Sequence, residues 1–258
     1  MIQLSLKNIL LKIRSMKIVL KLKKIAVTVL AIAVFTMSLT PPVMAANAKD
    51  VSQILKDNFC ISSLWKQCDL SGVDLRGANL QEANLSGANL SGANLEGANL
   101  KDADFSDADL SSANLANADV FGTNLSKANL TGVNLYRTRL WDANLTLANL
   151  TSANLQDANV LYSRLWGSNL TKANLTDATL HGADLQYANL GNSNLTNADL
   201  HSFFFRGSKQ VTNLSNANLE GAILTGANLK GAVLSGAIMP DGSINEEVVI
   251  NLKSRLFE

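Results

Sequence analysis

The chain has 258 residues and a nearly balanced charge, with 22 Lys and Arg against 21 Asp and Glu. Seven of the basic residues and none of the acidic ones lie in residues 1–45, so the remaining chain carries a net charge of about −6. A mildly acidic chain without clusters of Lys or Arg lacks the electrostatic footprint of a nucleic-acid-binding protein, and no nucleic-acid partner is expected.

Residues 1–45 have the order of a secretory signal peptide. Four lysines precede the apolar run 25–39, and prolines and small residues follow it. An apolar run of this length is short for the roughly 30 Å of hydrocarbon in a bilayer, so cleavage is favoured over an uncleaved anchor. We expect cleavage after Ala45 or Ala48, and a mature chain that is exported and not attached to a membrane.

The segment 46–67 precedes a regular repeat and contains one of the two cysteines. Its apolar residues predict a short helix because they recur at helical spacing, at Val51, Ile54 and Leu55. Cys60 and Cys68 form either a disulfide, which an exported protein can keep, or two separately buried thiols. Two cysteines without a nearby histidine cannot complete a four-ligand zinc site.

From residue 68 to residue 239 the chain repeats a five-residue phrase. A central apolar residue recurs every five positions over residues 70–200, with Phe205 as the last member of this series, and again over residues 214–239. Ala stands two residues before most central positions, and Asn or Asp stands one residue before them. A period of five matches neither a helix nor a strand, so the chain must turn by a fixed amount per pentad and climb, as in a solenoid.

The phrase A(N/D)LXX in a long tandem array, as in GANLSGANLEGANL at residues 87–100, resembles the pentapeptide-repeat family. The resemblance implies an all-β solenoid, a right-handed quadrilateral β-helix with four pentads and 20 residues per coil, and about eight to nine coils for residues 68–239. The alternative, a leucine-rich repeat, requires unequal leucine spacings that are absent. In the β-helix the central residue and the Ala face the interior, and the Asn or Asp faces outward and bonds to the backbone.

The ends of a solenoid must be covered, or its open edges would recruit other chains. We therefore expect the helix in residues 46–67 to cap one end. The tail 240–258 begins with the turn signal PDG and continues with apolar residues that suit a second cap or a homodimer contact, at Val248, Val249, Leu252 and Leu256. Within the repeat, the segment 206–213 shifts the register, which predicts a bulge or small loop.

Large side chains cluster where the repeat needs only small or polar ones. Arg164 and Trp166 follow Arg139 and Trp141 by 25 residues. If positions 20 apart stack, as the resemblance implies, this spacing is one full coil plus one pentad. Contiguous exposed aromatic residues and arginines are typical of protein-binding surfaces. The alternative is that the surface residues of the repeat vary freely and bind nothing. The candidate partner-binding residues are Phe121, Tyr136, Arg137, Arg139, Trp141, Leu161, Tyr162, Arg164 and Trp166.

His181 and His201 fall in one column on neighbouring coils, with Asp199 or Asp184 nearby. Because no third nitrogen or sulfur ligand is evident, no metal site and no cofactor are expected. An interior filled with Leu and Ala leaves no evident cavity, and phosphate-binding glycine loops and zinc-hydrolase motifs are absent, so no enzymatic activity is expected.

The leading hypothesis is a non-enzymatic, exported structural or protein-interaction module with an unidentified protein partner. Some exported members of the resembled family occur in cyanobacteria, including the thylakoid lumen, and CDLSGVDLRGANL at residues 68–80 resembles them, so we expect the periplasm or the thylakoid lumen. A second hypothesis, also from the family, is an acidic DNA mimic that binds gyrase, although gyrase is cytoplasmic and residues 1–45 indicate export. A third, a hydrolase, has no motif to support it.

Overall fold

The computed structural model of the protein describes residues 68–205 and 207–245. The expected signal peptide (1–45), the N-terminal cap (46–67) and the apolar part of the C-terminal cap lie outside the described residues. The structure records Cys68 as disulfide-bonded, but Cys60 lies outside the described residues, and the pairing of the two stays a prediction. No helix in the described part of the chain is long and apolar enough to cross a membrane.

Backbone pairing between residues 20 apart organises the chain. Asp69 forms a parallel bridge with Asn89, and the same pairing recurs every five residues up to the bridge between Thr179 and Asp199. Hydrogen bonds accompany each bridge, such as that from Leu70 N to Asn89 O at 2.7 Å. Because the bridges are five residues apart and their partners 20 apart, each coil holds four pentads. The chain is therefore a parallel β-helix.

Each pentad from Leu70 to Leu195 ends in the same turn. The amide of Ala83 donates to the carbonyl of Leu80 at 3.0 Å, and Glu82, the third residue of the turn, has a φ of 57°. A positive φ at the third residue only is the pattern of a type II turn. It recurs in every pentad over residues 72–197, where Gly and short polar residues predominate. The two largest residues at this position are Tyr162 and Tyr187.

The interior is made of the central residues and the alanines two positions before them. Leu130 and Ala128 are fully buried, and Phe105 is the largest residue of the interior. Six Ser or Thr residues replace buried alanines, and each donates its hydroxyl to a backbone carbonyl, as Thr138 does to Leu115 O at 2.8 Å. The interior is therefore packed and its polar side chains are satisfied.

The outward Asn or Asp before each central residue serves both the turn and the coil stack. The side-chain oxygen of Asn84 accepts a hydrogen bond from the amide of Ser86 at 3.1 Å, which supports the turn. The side-chain amide of Asn124 donates to Asp104 one coil earlier at 2.9 Å. Asn can do both, because it carries an acceptor and a donor, whereas an ionised Asp only accepts.

The 20-residue spacing breaks once among the described residues, where a hairpin is inserted. Strands β1 (Phe203–Phe205) and β2 (Ser208–Gln210) pair antiparallel. Beyond them Asp184 bridges Asn213, 29 residues later, so this coil is nine residues longer than the others. The interpretation of Phe205 as the last member of the first leucine series is wrong, because it lies in β1 and Leu214 takes the interior place above Leu185.

The same substitution at two leucines tests the division between interior and turn. Leu130→Ala is expected to lower the free energy of unfolding by about 2–5 kcal/mol, because it leaves a cavity in a packed interior. Leu147→Ala should lower it by about 0.5 kcal/mol or less, because Leu147 lies in a turn and is 48% exposed. Urea unfolding followed by circular dichroism measures both values. Equal losses would contradict the assignment of the central residues to the interior.

Candidate functional site

Most of the unusual side chains lie along one edge of the β-helix. We call wall A the side of each coil built around the central residues Leu100, Val120, Leu140, Val160, Leu180 and Leu200. Corner A comprises the two turn residues that follow each of them, such as Trp141 and Asp142 after Leu140. Corner B comprises the two turn residues after the central residues of the next wall, Leu125, Leu145, Leu165 and Leu185.

A ladder of aromatic rings runs along corner A. Phe121 and Trp141 pack edge to face with ring centroids 5.9 Å apart, and Trp141 lies 6.1 Å from Tyr162. Tyr162 in turn lies 6.3 Å from Phe203 at the start of the inserted hairpin. Phe121 and Trp141 remain 37% and 45% exposed. The ladder therefore joins three coils and the hairpin, and it presents two large rings to solvent.

The ladder depends on a glycine at one position. The ring of Tyr162 lies over Gly182, where a Cβ atom would be 2.8 Å from Tyr162 Cδ1. Gly182 also has a φ of 67°, a conformation that is costly for residues with a Cβ. A glycine here therefore leaves room for the ring to reach Phe203.

A groove of about 530 Å³ opens beside the exposed rings. Three of its four charged residues share an ion pair, in which Asp119 Oδ2 lies 3.1 Å from Lys101 Nζ and 3.2 Å from Arg139 Nη1. The Arg139 side chain is 71% exposed, so most of its N–H donors still face solvent. The groove is lined by Lys101, Asp102, Asp119, Phe121, Arg139, Trp141 and Asn159.

The structure brings together only part of the set proposed from the sequence. Phe121, Arg139 and Trp141 line the groove, and Tyr162 contacts Trp141. Leu161 lies half-buried in the same column, between Trp141 and His181. The proposed contact set therefore has its densest part at corner A.

A second aromatic pair lies at corner B and is separate from the ladder. Trp166 is 41% exposed and packs against Tyr187 with ring centroids 5.7 Å apart. Within the described residues no ring contact joins Trp166 to Trp141. Arg164, on the wall between the two corners, is exposed. The single patch expected from the sequence is thus divided into two.

Tyr136 and Arg137 lie at the corner that precedes wall A. The guanidinium carbon of Arg137 lies 4.9 Å from the centre of the Tyr136 ring, and its Nε lies 3.6 Å from Asp157 Oδ2. These contacts are local to the corner. The two residues therefore belong to the edge of the proposed surface and do not line the groove.

Tyr187 is a surface residue that the sequence interpretation missed. It follows Trp166 by 21 residues, as Tyr162 follows Trp141. In both cases the Trp is the first turn residue of one coil and the Tyr is the second turn residue of the next. A spacing of 21 is therefore the signal that would have identified the contact.

The chain's two histidines share one carboxylate at corner A. Asp199 Oδ2 lies 2.9 Å from His181 Nε2, and Asp199 Oδ1 lies 2.6 Å from His201 Nδ1. Partial burial acts to raise the pKa of Asp199, but the contacts with His201 and His181 outweigh it, and the pKa lies below its ordinary value. The other carboxylate considered from the sequence, Asp184, bonds instead to Gln186 on the next wall.

Comparison with known families identifies the repeat. The Pentapeptide repeats family matches in eight copies, over residues 68–107, 88–126, 128–160, 148–185, 173–209 and 212–241. The chain belongs to the pentapeptide-repeat family. No match was found among curated proteins.

Solved structures of other pentapeptide-repeat proteins are similar to this one. HetL, involved in heterocyst differentiation regulation in the cyanobacterium Nostoc sp. strain PCC 7120, is 34% identical over 69% of this chain and 94% of its own, with a TM-score of 0.33. QnrB1, a plasmid-mediated fluoroquinolone resistance protein, is 22% identical over 72% of this chain and 84% of its own, with a TM-score of 0.49. A protein from the thylakoid lumen of Arabidopsis thaliana is 26% identical over 49% and 74%, with a TM-score of 0.29.

The shared ion pair of this pentapeptide-repeat protein can be tested by removing one charge. Asp119→Asn is expected to lower the free energy of unfolding by about 0.2–1 kcal/mol at low salt, because Lys101 and Arg139 lose their common partner. The loss should shrink at high salt, where surface ion pairs are screened. Thermal unfolding at low and high sodium chloride measures both effects.

Asp109→Asn is the matched control. Asp109 holds the same position in its pentad and supports its turn in the same way, but no ion pair is recorded for it in the described chain. Its loss of stability should be smaller and should not depend on salt. If both variants respond alike to salt, the ion pair at Asp119 has no specific role.

Proposed function

We propose that this pentapeptide-repeat protein is a non-enzymatic, exported interaction module that binds a protein partner at corner A. The observation that carries the proposal is the exposed aromatic ladder beside the groove, with Phe121 and Trp141 held against each other. Contiguous exposed aromatic residues with an arginine at their side are the common anchors of protein interfaces.

The geometry of the ladder favours binding because its side chains are already ordered. Trp141 packs between Phe121 and Tyr162, so its ring loses little rotamer freedom when a partner covers it. Burial of the remaining exposed faces would stabilise the complex by about 25 cal/mol for each Å² of apolar surface that is removed from water. Arg139 is placed to receive a carboxylate of the partner.

This surface suits a partner with two features. An apolar side chain would pack on the rings of Phe121 and Trp141, and an acidic side chain would pair with Arg139. Asp119 already neutralises part of the cationic charge, so the groove favours a carboxylate at the outer side of Arg139.

The packed interior supports a non-enzymatic role. Each buried Ser or Thr in the described residues donates to a backbone carbonyl, as Ser193 does to Leu190 O at 2.7 Å. These hydroxyls are fully enclosed, and so a substrate does not reach them. The groove at corner A holds Lys, Arg and Asp side chains that pair with one another, and this arrangement suits the binding of a protein partner.

The proposal includes the finer architecture and the compartment. The β-helix is right-handed, with about eight to nine coils over residues 68–239 and short caps at both ends, as the family resemblance implies. The order of basic, apolar and small residues in 1–45 supports export to the periplasm or the thylakoid lumen.

Single tryptophan substitutions test the contact surface. Trp141→Ser is expected to abolish recovery of the partner in affinity capture from the native compartment, because it removes the centre of the ladder. The β-helix should remain folded, since Trp141 is 45% exposed and Leu140 beneath it still fills the interior. Quantitative mass spectrometry of the captured proteins, normalised to wild type, is the measurement.

Trp166→Ser is the matched control. Trp166 holds the same place in its pentad and is 41% exposed, but it belongs to the separate pair at corner B. Recovery should stay close to that of wild type. Full recovery with Trp141→Ser would count against a contact at corner A, and loss only with Trp166→Ser would assign it to corner B.

Export can be tested without knowledge of the partner. Residues 1–50 fused to a reporter that is active only after export should produce activity, because the segment carries the basic and apolar regions of a signal peptide. Replacing the four lysines between positions 17 and 24 with Glu should strongly reduce that activity. A reporter that remains inactive with the natural sequence would contradict export.

A further inference from the structure

The two histidines of the chain converge with one aspartate at the end of the regular coils. His181 and His201 stack on adjacent coils with ring centroids 4.2 Å apart, and Asp199 lies beside both. One potential ligand atom from each residue lies within 4.8 Å of the others. The sequence contains no other histidine, so both fall at this one point.

The contact between His181 and Asp199 is not an ordinary hydrogen bond. His181 Nε2 is buried and lies 2.9 Å from Asp199 Oδ2, but the N–H direction of the ring is poorly aligned with that oxygen. An unprotonated imidazole nitrogen and a carboxylate oxygen both offer lone pairs. A cation between the two atoms satisfies both, whereas a proton on Nε2 does not point along the contact, and an unsatisfied buried polar atom costs about 1–3 kcal/mol.

The donors lie close enough together to bind one small cation. Zinc binds imidazole nitrogen and carboxylate oxygen at about 2.0–2.2 Å, which places two donors on a tetrahedral ion roughly 3.3 Å apart. The observed 2.9 Å between His181 Nε2 and Asp199 Oδ2 is about 0.4 Å shorter, so small side-chain movements would admit the ion. His201 Nδ1 lies 2.6 Å from Oδ1, the other oxygen of the same carboxylate, and supplies the third ligand.

The inserted hairpin covers one side of this cluster. The ring of Phe203 lies 5.3 Å from that of His181 and 6.2 Å from that of His201. The chain returns from the hairpin at Thr212, whose Oγ1 accepts from Gly182 N at 3.1 Å, next to His181. The only break of the repeat in the described chain therefore begins directly after one histidine and ends beside the other. An apolar cover of this kind limits water access and strengthens ligand–metal interactions.

We propose that His181, Asp199 and His201 bind a divalent first-row transition-metal ion such as Zn²⁺. Two imidazoles and one carboxylate suit these ions, and three protein ligands leave a further position open to water. The ion joins the coil of Leu180 to the coil of Leu200 at the base of the hairpin. It therefore acts as a structural clamp at the one place where the coil spacing changes, and this role is independent of partner binding at Trp141.

Metal titration of the full mature chain tests the proposal. The protein carries no histidine tag, is treated with chelator and is kept without reductant, so that neither tag nor thiol contributes ligands. Isothermal titration with ZnCl₂ is expected to show one ion per chain, and CoCl₂ should give the visible absorption of nitrogen- and oxygen-coordinated Co²⁺. Zn²⁺ should also raise the melting temperature, because it binds the folded state alone.

Substitutions at the ligands and at a matched position identify the site. His181→Gln and Asp199→Asn should each weaken Zn²⁺ binding at least about tenfold, the lower limit seen for loss of a supporting partner. Gln is suitable because Gln81 holds the same column position in an earlier coil. Asp184→Asn, at the same pentad position on the neighbouring wall, should leave both the affinity and the cobalt spectrum unchanged.

Three results would overturn the proposal. If the wild-type protein gives neither heat with ZnCl₂ nor a cobalt spectrum, then a proton, and not a metal, lies between His181 and Asp199. Zn²⁺ binding that persists in a double variant, His181→Gln with His201→Gln, places the metal elsewhere. The same stabilisation by Zn²⁺ in that variant, with its metal-free melting temperature unchanged, would exclude the clamp. Trp141→Ser should bind Zn²⁺ as wild type does, so the metal site and the partner surface can fail separately.

Discussion

The hydrogen bonds between coils are the interaction on which the rest of the structure depends. Each pair, such as Leu70 N to Asn89 O, holds a residue over the residue 20 positions later. The type II turn that ends every pentad keeps this offset constant. Outward side chains therefore form columns, and residues far apart in sequence become neighbours without any long-range loop. Both the aromatic ladder and the histidine pair are consequences of this stacking.

The same network tolerates strain at the turns. A residue with a Cβ in the left-handed region costs about 1–2 kcal/mol relative to its preferred conformation, yet Leu147, Tyr162 and Tyr187 hold it. The hydrogen bonds on either side of the turn fix the backbone conformation, so large side chains can replace Gly there without loss of the fold. Corners are accordingly the part of the coil where the sequence can vary, and they carry the candidate sites.

The pentad pattern together with the family resemblance predicted the interior, because each position of the phrase has one physical role. Leu140 and Thr138 were placed correctly, and both are fully buried. The start of the hairpin at Phe203 was missed because Phe203 and Phe205 continue the apolar spacing of the repeat by coincidence. Only their strand pairing shows that they leave the coil. The extent of the ladder was missed because the stacking of residues 20 apart does not show in which direction a large side chain extends. Trp141 meets Tyr162 at an offset of 21.

Phe203 connects the two candidate sites. Its ring contacts Tyr162 at the end of the ladder and both His181 and His201 at the base of the hairpin. The orientation of the histidine rings therefore limits where Phe203 can lie, and Phe203 limits where Tyr162 can lie over Gly182. Packing of Phe203 against both imidazoles orders this chain of rings from its covered end. The exposed rings of Trp141 and Phe121, two and three contacts from Phe203 along the ladder, then rest on a support that the coil stacking alone does not provide.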